Sequence, residues 1–221
     1  MGAVAFAAAL IFLERTRPVE SSAIQLSSTA YIATQADRQF LKYVIRCALP
    51  QGVVVESKSR YGHFRFNGRH GLAPDWTKRP LIEQEQELVS ACILALTNKF
   101  GVAVPVYLVP GTKPPNLKRR KEDGSLDYRL FEGAFFGNLF LPSPKAFVCV
   151  GNGRTVAPGD PIWSKRVCGL PDGNGGRTSR CGMVIVGSCG TKKPYTVSGV
   201  TWSNPIQVYL RPQGRSDLDL K

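Results

Sequence analysis

The chain has 221 residues, of which 43% are hydrophobic and 20% charged, the proportions of a globular domain with its own core; they exclude wholesale disorder. Twenty-nine Lys and Arg stand against sixteen Asp and Glu, a net charge of +13. Such a field attracts nucleic acid, anionic lipid headgroups or acidic glycans without choosing among them. The excess is spread out: residues 57–79 carry six basic and one acidic side chain, and residues 154–194 carry seven and two. A diffuse charge of this kind suits non-specific adhesion better than a single recognition groove.

The chain opens on "MGAVAFAAALIFLERTRPVESSA". Its apolar run, Gly2 to Leu13, is 12 residues long. That is short for a membrane span, which needs roughly 17–25, but fits the apolar core of a secretory signal. No Lys or Arg precedes the run, and Glu14, Arg15 and Arg17 crowd the region where cleavage would occur. Residues 1–30 are therefore expected to be an export signal or an N-terminal anchor with a short linker. Residues 31–211 read as a single α+β domain, and 212–221 as a disordered tail. No other segment has the length and apolarity to span a bilayer.

The first helix falls in "TQADRQFLKYVIRCALPQG". Ala36, Phe40, Leu41, Val44, Ile45 and Ala48 recur at helical spacing, Thr34 and Asp37 suit its start, and Pro50 and Gly52 its end. "VVVES" and "SRYGHFRFNG" follow as strands. In the second, Tyr61, His63, Arg65 and Asn67 alternate with Gly62, Phe64 and Phe66, giving one polar, basic face. "HGLAPDW" is a turn-rich connection. "RPLIEQEQELVSACILALTNKFG" is the second helix, with Pro80 at its first position and one stripe carrying Leu81, Leu88, Cys92 and Ala95. "GVAVPVYLVPG" is a strand and "TKPPNLKRRKEDGSLD" a polar loop. "YRLFEGAFFGNLFLPSP" reads as an apolar, glycine-broken core loop. From Lys145 onward short strands dominate: "KAFVCV", "MVIVG", "YTVSGV" and "PIQVYL". The fold class is α+β, with two N-terminal amphipathic helices packed on a mainly antiparallel sheet and braced by disulfides.

Six cysteines, Cys47, Cys92, Cys149, Cys168, Cys181 and Cys189, agree with an oxidising compartment. No pair has the C-x-x-C spacing of a redox motif or zinc knuckle. Two cysteine-bearing helices make Cys47–Cys92 the preferred disulfide. Among the later four, Cys168 or Cys149 is expected to close with Cys181 or Cys189.

The stretch "CGLPDGNGGRTSRCGMVIVGSC" resists a chemical reading. As a calcium loop it has Asp172 and Asn174 in place, but Arg177 stands where Gly is required and Met183 where a bidentate Glu is. It lacks the phosphate-loop pattern, and C-x12-C-x7-C with only two histidines in the chain is not a zinc site. A disulfide-tied turn remains. No metal and no cofactor are expected.

The candidates for chemistry are few. His63 and His70 in "HFRFNGRH" offer a general base, and Glu132 and Asn138 in "FEGAFFGNLF" a carboxylate and an amide bordered by aromatics. Glu83, Glu85 and Glu87 complement the dipole of the second helix. Arg65 and Arg69, together with Lys118, Arg119, Arg120 and Lys121, are candidate contacts for an anionic ligand. No helix is plainly basic on one face, and no RNA-recognition or G-x-S-x-G signature occurs.

"CALPQG", "GLAPDW", "EQELVSACILALTNKFGVAVPV", "EGAFFGNLF" and "PIQVYL" resemble a group of uncharacterised secreted or lipoprotein-like proteins of Gram-negative bacteria, over roughly residues 38 to 210. The resemblance implies export and a disulfide-bearing fold, and transfers no catalytic residue. The expected protein is periplasmic, outer-membrane-associated or secreted. It binds or structures anionic envelope polymers or lipid headgroups, and the balance is against catalysis. A hydrolase using His63 or His70 with Glu132 is the alternative. Nucleic-acid binding through the basic loops is a less favoured one.

Overall fold

The computed structural model describes residues 33–97, 106–111, 128, 130–151, 183–190 and 194–210. The expected leader, the basic loop of Lys118, Arg119, Arg120 and Lys121, the glycine-rich stretch with Cys168 and Cys181, and the tail lie outside them. Among the described residues the protein is mixed α+β, with two helices, mostly antiparallel sheet and two disulfides.

Helix α1 runs Gln35–Ala48. Thr34 starts it with a capping box: Asp37 N–H donates to Thr34 Oγ1 at 3.0 Å, and Thr34 N–H donates to Asp37 Oδ2 at 2.9 Å. Leu41, Val44, Ile45, Cys47 and Ala48 form its buried face. It stops because Leu49 precedes Pro50, whose ring disfavours the helical region for its neighbour; Leu49 is extended, with φ −94° and ψ 148°. Strands β1 (Val54–Ser59) and β2 (Gly62–Asn67) then form an antiparallel hairpin. Arg60 and Tyr61, expected in the second strand, make its turn. Phe66 is buried and Phe64 partly so, while His63 and Arg65 face solvent. A short 3-10 helix, Pro74–Thr77, leads onward.

Helix α2 spans Glu83–Thr97, starting later than Pro80 predicts. The reason is Glu85. Its carboxylate accepts the Ile82 N–H at 3.1 Å and both terminal nitrogens of Arg79 at 2.7 Å each. The helix is thereby capped at Ile82, and Pro80 is left in the approach. The expected single stripe is also too narrow. Every residue from Val89 to Ala95 is buried, because α2 lies between α1 on one side and the sheet on the other.

Among the described residues that sheet has five strands: β3 (Tyr107–Pro110), β4 (Leu130–Asn138), β5 (Lys145–Val150), β6 (Val184–Ser188) and β9 (Ile206–Leu210), in the order β3-β9-β4-β5-β6. Only β5 and β6 pair in parallel. β7 (Tyr195–Val197) and β8 (Val200–Trp202) form a separate hairpin.

The "FEGAFFGN" segment is not a core loop. It is β4, paired on both sides near the centre of the sheet. Its glycines serve close approach, not a break. A Cβ at Gly137, where φ is +131°, would lie 2.2 Å from the Lys145 carbonyl oxygen of the neighbouring strand. The extra residue in the pairing with β9 is Glu132, opposite the Tyr209–Val208 step. The bulge switches parity, so Phe131, Ala134 and Phe136 share one face while Phe135 takes the other.

Three layers result. Phe135, Val148, Ile206, Val208 and Leu210 pack with α2 and α1 in the larger core. On the opposite face, Ala134, Phe136, Phe147 and Cys149 pack against the β7–β8 hairpin. Tyr195 stacks on Phe136 at 4.8 Å, and Trp202 tilts onto Phe147 at 5.6 Å. Cys47–Cys92 joins the two helices, and Cys149–Cys189 ties β5 to the residue after β6. No helix among the described residues is long and apolar enough to cross a membrane.

Candidate anion-binding site

The sequence "QADRQFLKYVIRCA" places Arg38, Lys42 and Arg46 four residues apart. On a helix this sets three cations in a row, about 6 Å of rise between neighbours. The expectation that no helix is basic on one face is thus corrected at α1. The row flanks the apolar stripe. Arg38 lies over the Phe64 ring at 5.0 Å, Lys42 is exposed and Arg46 is half-buried.

At the C-terminal end of the row, residues 69–73 are bound to the helix through their backbone. The last carbonyls of a helix have no partner within it; here a passing segment supplies the donors. Arg69 N–H and His70 N–H both donate to Arg46 O, at 3.1 and 3.0 Å. Leu72 N–H donates to Cys47 O at 3.1 Å, Ala73 N–H to Ala48 O at 2.8 Å, and Gly71 N–H to Leu49 O at 3.0 Å. Gly68 admits the segment, since a Cβ there would sit 2.4 Å from Pro50 O. Backbone geometry therefore fixes Arg69 and His70 beside Arg46, and no attraction between their side chains is involved.

Electrically the arrangement is unfavourable. Burial is the main cause that lowers the Arg46 guanidinium below its ordinary range, and the charge of Arg69 lowers it further. His70 is pushed down to about 4, first by burial and then by the charges of Arg46 and Arg69, so its ring is neutral at pH 7. Arg46 Nε and His70 Nε2 are buried without a hydrogen-bond partner, as is Trp76 Nε1 farther along the same segment. A single cation in the last turn of a helix offsets the dipole, which accounts for Arg46 alone. It does not account for Arg69 and His70 crowded against carbonyls that already accept backbone N–H groups.

Four acids of the described residues serve elsewhere. Glu85 holds Arg79, Glu87 accepts from Asn204 Nδ2 at 2.8 Å, and Asp75 lies 3.7 Å from Lys78. Glu56 lies 3.4 Å from His63 Nε2 and 4.0 Å from Arg65. Among the described residues, no carboxylate forms an ion pair with Lys42, Arg46 or Arg69.

The remaining candidates are dispersed over the fold. His63 and Arg65 project from the exposed face of β2, more than half exposed. His70 lies at the end of α1, and Glu132 is buried in the β4 bulge. These are three separate elements. Asn138 is buried and serves the fold: its Nδ2 donates to Gln86 Oε1 at 3.0 Å, and its Oδ1 accepts Phe140 N–H at 2.8 Å. Arg69 does reach the site. The sequence reading missed Lys42 and Arg46, although their spacing of four was visible. It also missed Tyr195, whose buried hydroxyl has no partner and is pushed up to about 12 by burial. Among the described residues, no group of three or more His, Cys, Asp or Glu side chains is placed to hold a metal ion.

Comparison with protein-family models, with curated proteins and with solved structures finds no match to this chain.

Proposed function

We propose that the chain is an exported, disulfide-braced α+β domain that binds anionic components of the cell envelope without catalysing a reaction. Two disulfides favour an oxidising, exported setting. The sequence resemblance to secreted or lipoprotein-like proteins of Gram-negative bacteria agrees with this setting, and the cell envelope is the part of it we propose. The observation that carries the binding role is the cationic row of α1 running into Arg69, with no carboxylate paired to Lys42, Arg46 or Arg69 among the described residues. Surface cations that serve only solubility are interspersed with acids; from Lys42 to Arg46 the helix carries none.

The test is retention of the full, oxidised chain on an immobilised linear polyanion such as dextran sulfate. Replacing Lys42→Glu together with Arg38→Glu is expected to weaken binding about tenfold. Sodium chloride at about 0.5 M, where the Debye length is about 4 Å, is expected to abolish it. Retention that ignores both the charge reversal and the salt would refute the reading.

A further inference from the structure

We propose that the C-terminal end of α1 is a site for a phosphate group, gripped by Arg46 and Arg69, with His70 taking up a proton from solvent as the group docks. The inference rests on the anion-binding reading above and adds where the anion sits and what it carries.

Buried side-chain nitrogens in folded proteins are normally hydrogen-bonded. Here the partner is missing at adjacent positions: Arg46 Nε and His70 Nε2 are both buried and unpartnered, and Arg69 is exposed beside them. Exposure of Arg69 gives an incoming group its approach. The backbone N–H groups of Arg69 to Ala73 are occupied by the carbonyls of α1, so recognition falls to side chains. Two planar guanidinium forks match phosphate oxygens in shape and in donor number. Above about pH 6 a phosphate monoester carries close to two negative charges and balances both guanidiniums; below that it keeps one charge and enough acceptor oxygens for both forks.

The proton follows from the same charges. Arg46 from α1 and Arg69 from its own segment face His70 and disfavour its cation, and Tyr43 of α1 couples to Arg46. Asp75, the acid of the following 3-10 helix, is turned to Lys78 at 3.7 Å and Arg79 at 4.0 Å. A phosphate between the two guanidiniums cancels their repulsion and leaves only burial to oppose protonation. At about pH 5 one proton then passes from hydronium or buffer acid to the ring, with no bond made or broken on the phosphate.

The experiment is proton NMR of the histidine rings in the full, oxidised chain. Only two histidines exist, and His63→Gln assigns them. Inorganic phosphate, against chloride at equal ionic strength, is expected to raise the His70 midpoint by at least one unit, a tenfold gain in hold on the protonated form. Arg69→Gln keeps every backbone bond of the segment and is expected to remove the rise. An identical His70 titration in phosphate and chloride, with no response to vesicles either, overturns the site; so does a rise that survives Arg69→Gln. Phosphatidic acid vesicles, whose headgroup is a phosphate monoester, against phosphatidylcholine, separate the sources: a His70 response to these vesicles alone places the phosphate on a lipid headgroup. A response to inorganic phosphate in a chain that does not bind dextran sulfate upholds the site and removes the general reading. Polyanion binding without any His70 response does the reverse.

Discussion

His70 gives the clearest single-residue test of the structure. Its folded value, about 4, lies below the ordinary histidine value near 6.5. Between those limits the unfolded chain binds more protons than the folded one, so stability falls as pH falls. The contribution is complete above about pH 6.5 and is lost progressively towards pH 4, amounting to about 2–3 kcal/mol after allowance for partial solvent screening. Urea midpoints measured across this window are expected to fall, and His70→Gln to flatten the slope. Glu85 acts in a lower window. Its two hydrogen bonds from Arg79 are the first cause that holds its carboxyl below the usual range. What it contributes is present above the ordinary glutamate value and lost as pH falls through the lower folded one. A variant lacking His70 therefore still weakens as pH falls below the ordinary glutamate value, about 4.5.

At the level of elements, β4 and the helix pair make separable demands. Gly137→Ala forces a Cβ to 2.2 Å from the Lys145 carbonyl oxygen at a φ of +131°. The expected loss is about 3 kcal/mol or more. Gly52 also has a positive φ, +92°, but nothing lies within 4 Å of its Cβ position, so Gly52→Ala is expected to lose only about 1 kcal/mol. Equal losses in chemical denaturation would contradict the position of β4 inside the sheet. The Cys47–Cys92 bond closes a sequence separation of 45 residues. On the chain-entropy account its removal by Cys47→Ala with Cys92→Ala costs about 4 kcal/mol. Both sulfurs are fully buried between α1 and α2, so reductant is expected to act only through unfolding.

For the whole molecule the governing quantity is charge. A net charge of +13 makes the folded state repel itself, and the ion pairs around Glu56 are more than half exposed and worth little. The melting temperature is therefore expected to rise by a few degrees between about 0.05 and 0.5 M sodium chloride, as screening shortens the reach of the repulsion. A fall would mean that paired charges outweigh unpaired ones. The same salt weakens polyanion binding, so stability and binding should move in opposite directions.

Local pattern was enough for much of the fold. The Thr34–Asp37 cap, the end of α1 at Pro50, the alternation of β2 and the strands in "KAFVCV", "MVIVG" and "PIQVYL" depend on neighbours within a few residues, and their sequence signals are direct. "YTVSGV", expected as one strand, instead turns at Ser198 and Gly199 into the β7–β8 hairpin. The two helices that carry Cys47 and Cys92 were legible for the same reason, and their bond, inferred from that shared feature, is present. Three things were decided only by tertiary contact. Glu85 moved the start of α2 because Arg79 could reach it from outside the helix. The glycines of β4, which punctuate a loop in sequence, became sites of strand approach because β5 lies against them. The candidate site depends on chain segments more than twenty residues apart: the sequence shows Arg46, Arg69 and His70 as unrelated cations. The carbonyls left open by the end of α1 draw the backbone of residues 69–73 against it, and that hydrogen bonding, indifferent to side-chain charge, is what crowds them together.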